Sequence, residues 1–81
     1  MVEVTYGRLE QALLALGFSL RGVVEENKLF IHEATGAIMA LPDVPPETPA
    51  QPRHVGGVRH VLTAYGLADP TDFDRQLQKA S

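Results

Sequence analysis

Polar and apolar positions follow two different periods along this chain, and the changes of period mark its elements. Leu9, Ala12, Leu13 and Leu16 recur at i, i+3, i+4 and i+7, one apolar stripe of a helix over Tyr6 to Leu16. Thr5 stands where an N-cap belongs and Gly17 where a left-handed stop belongs. Gly7 falls in the first turn and costs such a helix about 1 kcal/mol relative to alanine. Phe18 to Val24, Asn27 to Glu33 and Ala37 to Leu41 read as three strands. Glu33-Ala34-Thr35-Gly36 is a hairpin loop in which Gly36 supplies a positive φ, and Pro42 ends the third strand.

The helical period returns over His54 to Tyr65, with Val55, Val58, Val61, Leu62 and Tyr65 on its apolar side and Gly66 as its stop. Gly56 and Gly57 either weaken its first turns or admit another backbone. A last helix starts with Asp69 as cap and Pro70 at its first position, runs to about residue 80, and turns Phe73 and Leu77 inward. Asp72 favours the positive end of its dipole. From Pro42 to Pro52 lie five of the six prolines, so that loop is expected to be an extended, stiff connector laid across the surface, with a ligand for proline-recognition modules as the alternative.

This is one domain over residues 1–81, with a core about 5–67, a proline-rich loop 42–52 and a C-terminal helix about 70–80. Strands joined by short turns are antiparallel. The expected class is α+β: a two-layer fold with a three-stranded antiparallel sheet and helices on one face, plus the C-terminal helix.

The strands are too apolar for a sheet with one wet face. On the second, Leu29 and Ile31 point one way and Lys28, Phe30 and His32 the other. On the third, Ala37, Met39 and Leu41 oppose Ile38 and Ala40. The second face is therefore expected to be covered by the last helix, by another copy, or by a different protein, with Leu29, Ile31 and Met39 as partner-binding residues.

Composition narrows the function classes. Without cysteine there is no disulfide, thiolate metal site or cysteine nucleophile. Ten carboxylates against seven Lys and Arg oppose tight phosphate binding. No apolar run approaches the ~20 residues of a membrane span, and the N-terminus lacks a signal-peptide pattern, so a cytoplasmic location is expected. His54 and His60 lack metal-ligand spacing, and the glycines form no phosphate loop, so no metal or cofactor is implied. Ser19 and Ser81 lack a nucleophile setting. His32 is the one histidine on the sheet, a catalytic candidate or a plain strand-end residue. Arg21, Lys28, Arg53 and Arg59 are the candidates for a small phosphate-facing patch, against a scattered solvated surface.

Several of these features come together in one known family. Gly17-Phe18 closes the first helix, Phe30-x-His32 lies near the hairpin turn, and Thr35-Gly36 forms that turn. Ile38-Met39-Ala40-Leu41-Pro42 ends a strand in proline, and Tyr65-Gly66-Leu67 ends the next helix. Over roughly Thr5 to Leu67 the chain resembles the HicA family of small toxins from bacterial toxin–antitoxin pairs. The resemblance implies a double-stranded-RNA-binding-like α-β-β-β-α fold, mRNA cleavage independent of the ribosome, and neutralisation by a HicB-like antitoxin. The family's Gly-Ser-His motif at the start of the second strand carries its catalytic histidine, a general acid/base for attack by the RNA 2′-hydroxyl. Aligned on Phe30, His32, Gly36 and Pro42, that motif falls on Glu25-Glu26-Asn27. An amide cannot exchange a proton near neutral pH, and two carboxylates repel phosphate. His32 is five residues on, which places it on the opposite face of a regular strand. The resemblance thus implies a HicA-like protein lacking efficient ribonuclease activity, with Asn27 at the degenerate catalytic position and partner binding or weak RNA binding retained. The alternatives are a small interaction protein that forms a homo-oligomer through its sheet, or an active, metal-independent interferase using His32.

Overall fold

The structure, a computed structural model, describes residues 4–79. The elements run α1 (Tyr6–Ala15), β1 (Ser19–Val24), β2 (Asn27–His32), β3 (Ala37–Pro42), α2 (Pro52–Ala64) and α3 (Pro70–Lys79). The order helix, three strands, helix, helix is the expected one. Residue 80, the expected end of the last helix, lies outside the described residues.

The capping chemistry explains the boundaries. The Thr5 side chain accepts from the Arg8 amide at 3.3 Å, and Gly17 leaves α1 at φ +99°. Asp69 accepts from the Asp72 amide at 2.8 Å and so starts α3. The helix α2 begins two residues before the apolar period does, because Pro52 occupies its first position.

The sheet is antiparallel in the order β1-β2-β3. Its two hairpins differ. Between β2 and β3 the register is unbroken, from Asn27↔Pro42 to His32↔Ala37. Between β1 and β2 it shifts, with Leu20 opposite Phe30 but Gly22 opposite Leu29, which leaves Arg21 as a bulge. Glu25 and Glu26 form a two-residue turn with φ of +51° and +66°, the left-handed pair that matches strand twist and that Asn-Gly normally supplies.

Phe30, Ala37 and Leu41 on one face of the sheet are buried against Leu9 and Leu13 of α1, Val58 and Leu62 of α2, and Phe73 of α3. The opposite face carries Val24, Leu29, Ile31, Ile38 and Ala40. Of the three covers expected for this face, the last helix is the one the structure excludes. Phe73 and Leu77 of α3 join the core made with α1 and α2, and Val24 and Ile38 stay more than half exposed.

The proline-rich segment is a strap that is not extended throughout, since the Thr48 amide closes a turn onto the Pro45 carbonyl at 2.9 Å, and it does more than connect. Its Thr48 and Pro46 carbonyls accept from the Tyr6 and Gly7 amides at 3.0 and 2.9 Å. With Thr5 serving Arg8, the first three amides of α1 are all satisfied. A Cβ on Gly7 would stand 2.9 Å from both Cβ and O of Pro46, so glycine is required there for close approach. Gly56 and Gly57 have open space beside them, so the backbone approach considered for them occurs at Gly7 instead.

The strap is fastened at its far end by Tyr6 and His54. The Tyr6 hydroxyl accepts from the Gln51 amide at 3.3 Å and lies 2.5 Å from His54 Nδ1. It donates to that nitrogen when the imidazole is neutral. Burial, reinforced by the Arg53 charge, holds the His54 pKa below its ordinary 6.5. The unfolded chain therefore binds more protons around pH 6, and stability rises with pH there. The His54 contribution is complete above pH 6.5 and is lost as pH falls from 6.5 through the lower folded value. We expect a lower urea midpoint at about pH 5 than at about pH 7.5, and a smaller difference in His54→Gln. An unchanged difference in that variant would exclude His54 as the cause.

Candidate functional site

The position that the family resemblance aligns with a catalytic histidine sits at the turn end of β2. Because the β2–β3 register is unbroken, Asn27 lies on the outer face with Leu29 and Ile31, while His32 lies on the core face with Lys28 and Phe30. Asn27 Nδ2 donates to the Glu25 carbonyl at 3.1 Å, so the amide is turned onto its own hairpin. Around it a groove is lined by Glu25, Glu26, Asn27, Pro42, Asp43 and Val44. The Asp43 amide donates to the Glu26 carbonyl at 2.9 Å and joins the two walls. Three carboxylates and no cation line this groove. Such a rim repels phosphate.

His32 is engaged elsewhere. Its Nδ1 lies 2.9 Å from Thr35 Oγ1, which also accepts from the Ala37 amide at 3.3 Å. Its ring lies 5.3 Å from that of Phe18, tilted by 56°. Its Nε2 faces Gly17, where a Cβ would come within 3.1 Å. The ring thus ties the β2–β3 turn to the end of α1.

Lys28 shares the core face with His32 but bonds Glu10 of α1 at 2.8 Å, with Asp43 at 3.9 Å. The Glu10 hydrogen bond raises its pKa above 10.5 against the opposing effect of burial, and the Glu10 and Asp43 charges add to the rise. A group held protonated in this way is no general base at neutral pH. His32 is four positions along the strand from Lys28, about 13 Å, with Phe30 buried between them. The two do not meet on one reacting atom.

Of the remaining cationic candidates, Arg21 lies on β1 and Arg53 and Arg59 lie on α2. Arg21 bonds Glu33 at 2.5 Å, both exposed. Arg59 bonds Asp74 of α3 at 2.6 Å and lies over the Phe73 ring at 5.6 Å. Arg53 is in the first turn of α2, beside His54. Three of the four thus hold a carboxylate partner of their own.

Met39 requires a correction. It pairs with Phe30 and packs against the core, so it does not share a face with Leu29 and Ile31. Ile38, opposite Ile31, takes its place on the outer face and is 58% exposed. The β1 bulge departs from the regular strand that the sequence predicts, although a lone glycine inside a strand pattern, Gly22, is the signal for one.

Among the described residues no group of three or more His, Asp or Glu could hold a metal ion, and no helix is long and apolar enough to cross a membrane. No family model, curated protein or solved structure matches the chain.

Proposed function

We propose that this chain is a HicA-like domain that binds rather than cuts, with Asn27 where that family carries its catalytic histidine. The observation that carries this reading is the hairpin end itself: an amide folded onto its own turn, inside a groove of three carboxylates. Loss of a general acid/base typically costs 10²–10⁴-fold in rate. The α-β-β-β-α order supports a double-stranded-RNA-binding-like identity. Ion pairing of Arg21, Lys28 and Arg59 leaves little charge for phosphate, so RNA binding through these residues and Arg53 is weak. Val24, Leu29, Ile31, Ile38 and Ala40 offer an apolar surface to a HicB-like antitoxin.

The test is incubation of the purified chain with mRNA. Intact RNA is the expected result. Cleavage that Asn27→Ala leaves unchanged places the chemistry elsewhere. Cleavage abolished by His32→Ala would make the chain an active interferase and overturn the proposal.

A second reading, a small interaction protein that self-associates through its sheet, is favoured by the half-exposed Leu20, Val23, Val24 and Ile38. A strict monomer at high concentration removes it.

A further inference from the structure

The core-facing side of the sheet is unevenly covered. On β2 and β3, Phe30, Ala37 and Leu41 on that side are at most 1% exposed. On β1, Leu20 and Val23 lie on the same side, opposite Phe30 and Lys28, yet are 51% and 53% exposed. The helical layer stops short of this edge. Among the described residues no further strand pairs with β1, so its outward amides and carbonyls lack a sheet partner there, along with these two side chains. The other edge, β3, is flanked by α2.

We infer that β1 is a docking edge for a second copy of this chain, paired antiparallel about a two-fold axis between Arg21 and Gly22. This rests on the self-associating reading and specifies which part of the sheet carries it. The bulge supplies the argument for the occupant. In a regular strand, residues three apart face opposite sides. The bulge at Arg21 puts Leu20 and Val23 on one side and Ser19 and Val24 on the other. A two-fold pairing about the bulge therefore sets Leu20 against Val23 of the second copy, and Ser19 against its Val24. Both pairs match face to face. A shift by one position sets a core-side residue against an outer-side one. The strand is thus complementary to itself in this register, as a two-fold interface requires.

Charge permits the contact. Arg21 falls opposite Gly22 of the second copy and already holds Glu33, so no unpaired cations meet at the axis. One strand edge with three apolar side chains from each copy buries less than the ~800 Å² per partner of a standard interface, so the dimer is weak, with a dissociation constant of roughly tens to hundreds of micromolar.

The test is sedimentation equilibrium of the full chain from about 5 μM to about 1 mM, with Val23→Lys and Ile38→Lys alongside. Both sites are more than half exposed, so both variants should fold, and circular dichroism verifies this. Val23→Lys is expected to weaken the dimer roughly tenfold or more, because an inward charge blocks edge pairing, while Ile38→Lys leaves it unchanged. Loss of the dimer in Ile38→Lys alone moves the contact to the outer face and overturns the edge proposal while keeping self-association. A strict monomer overturns both.

The register has its own readout, since the chain lacks cysteine. Oxidising a mixture of Leu20→Cys and Val23→Cys chains should yield mainly the mixed disulfide dimer. Predominance of either homodimer excludes the two-fold register.

Discussion

Phe30→Ala is expected to remove a large share of the domain's stability. Phe30 is central to the middle strand and 1% exposed, with helices from both ends of the chain closing over it. Truncating a buried phenylalanine costs about 3–5 kcal/mol, since the cavity collapses only in part. A domain of 81 residues has roughly 4–12 kcal/mol in total. It has no disulfide to limit the unfolded state. A urea titration followed by far-ultraviolet circular dichroism measures the loss. A cost under about 2 kcal/mol would mean that the sheet and helices do not meet at Phe30 as described.

The second large effect reverses the usual sign of a helix substitution. Alanine in place of a helical glycine ordinarily stabilises by about 1 kcal/mol. At Gly7 the added methyl would stand 2.9 Å from Pro46 Cβ and O, and the strap would have to lift. Lifting it stretches the Gly7 amide bond to Pro46 O and loosens the neighbouring Tyr6 bond to Thr48 O. Overpacking of this kind costs about 1–3 kcal/mol, so Gly7→Ala is expected to lower the denaturation midpoint. Gly56→Ala, in the open first turns of α2, should raise it instead. Opposite signs at the two glycines confirm the strap contact. A stabilised Gly7→Ala would place the strap farther from α1.

Gly7 also shows where the sequence stops being legible. Local chemistry is written in local residues. Thr5, Gly17, Gly36, Asp69 and Pro70 each act within a few positions of themselves, and each fills the role its type implies. Strand parity is local too, and it separates Asn27 from His32 correctly. Gly7 answers to Pro46, 39 positions away, and nothing near Gly7 announces it. Met39 fails for a related reason: alternation sorts β3 into two sets, but only the cross-strand register says which set joins Leu29. At the candidate site, the identity of Asn27 and its acidic neighbours is plain in the sequence. Their convergence with Asp43 into one groove is not, because Asp43 arrives from the far end of β3. The partners of Lys28 and Arg59 come from α1 and α3, beyond the range of charge spacing.

The strap that closes over Gly7 also orders the assembly of the fold. Two of the first amides of α1 find their acceptors in residues 46–48, and Val4 O receives the Ala50 amide at 2.8 Å. A growing chain makes α1 before the strap, so that helix has an open leading turn until some forty further residues have been added. Both hairpins lie in the chain between α1 and the strap that crosses back to it. The leading turn of α1 is thus completed only by a contact some forty residues away, and closing so long a loop is the slow kind of contact. The segment that looks like a passive connector is the clasp that tells the domain it is complete.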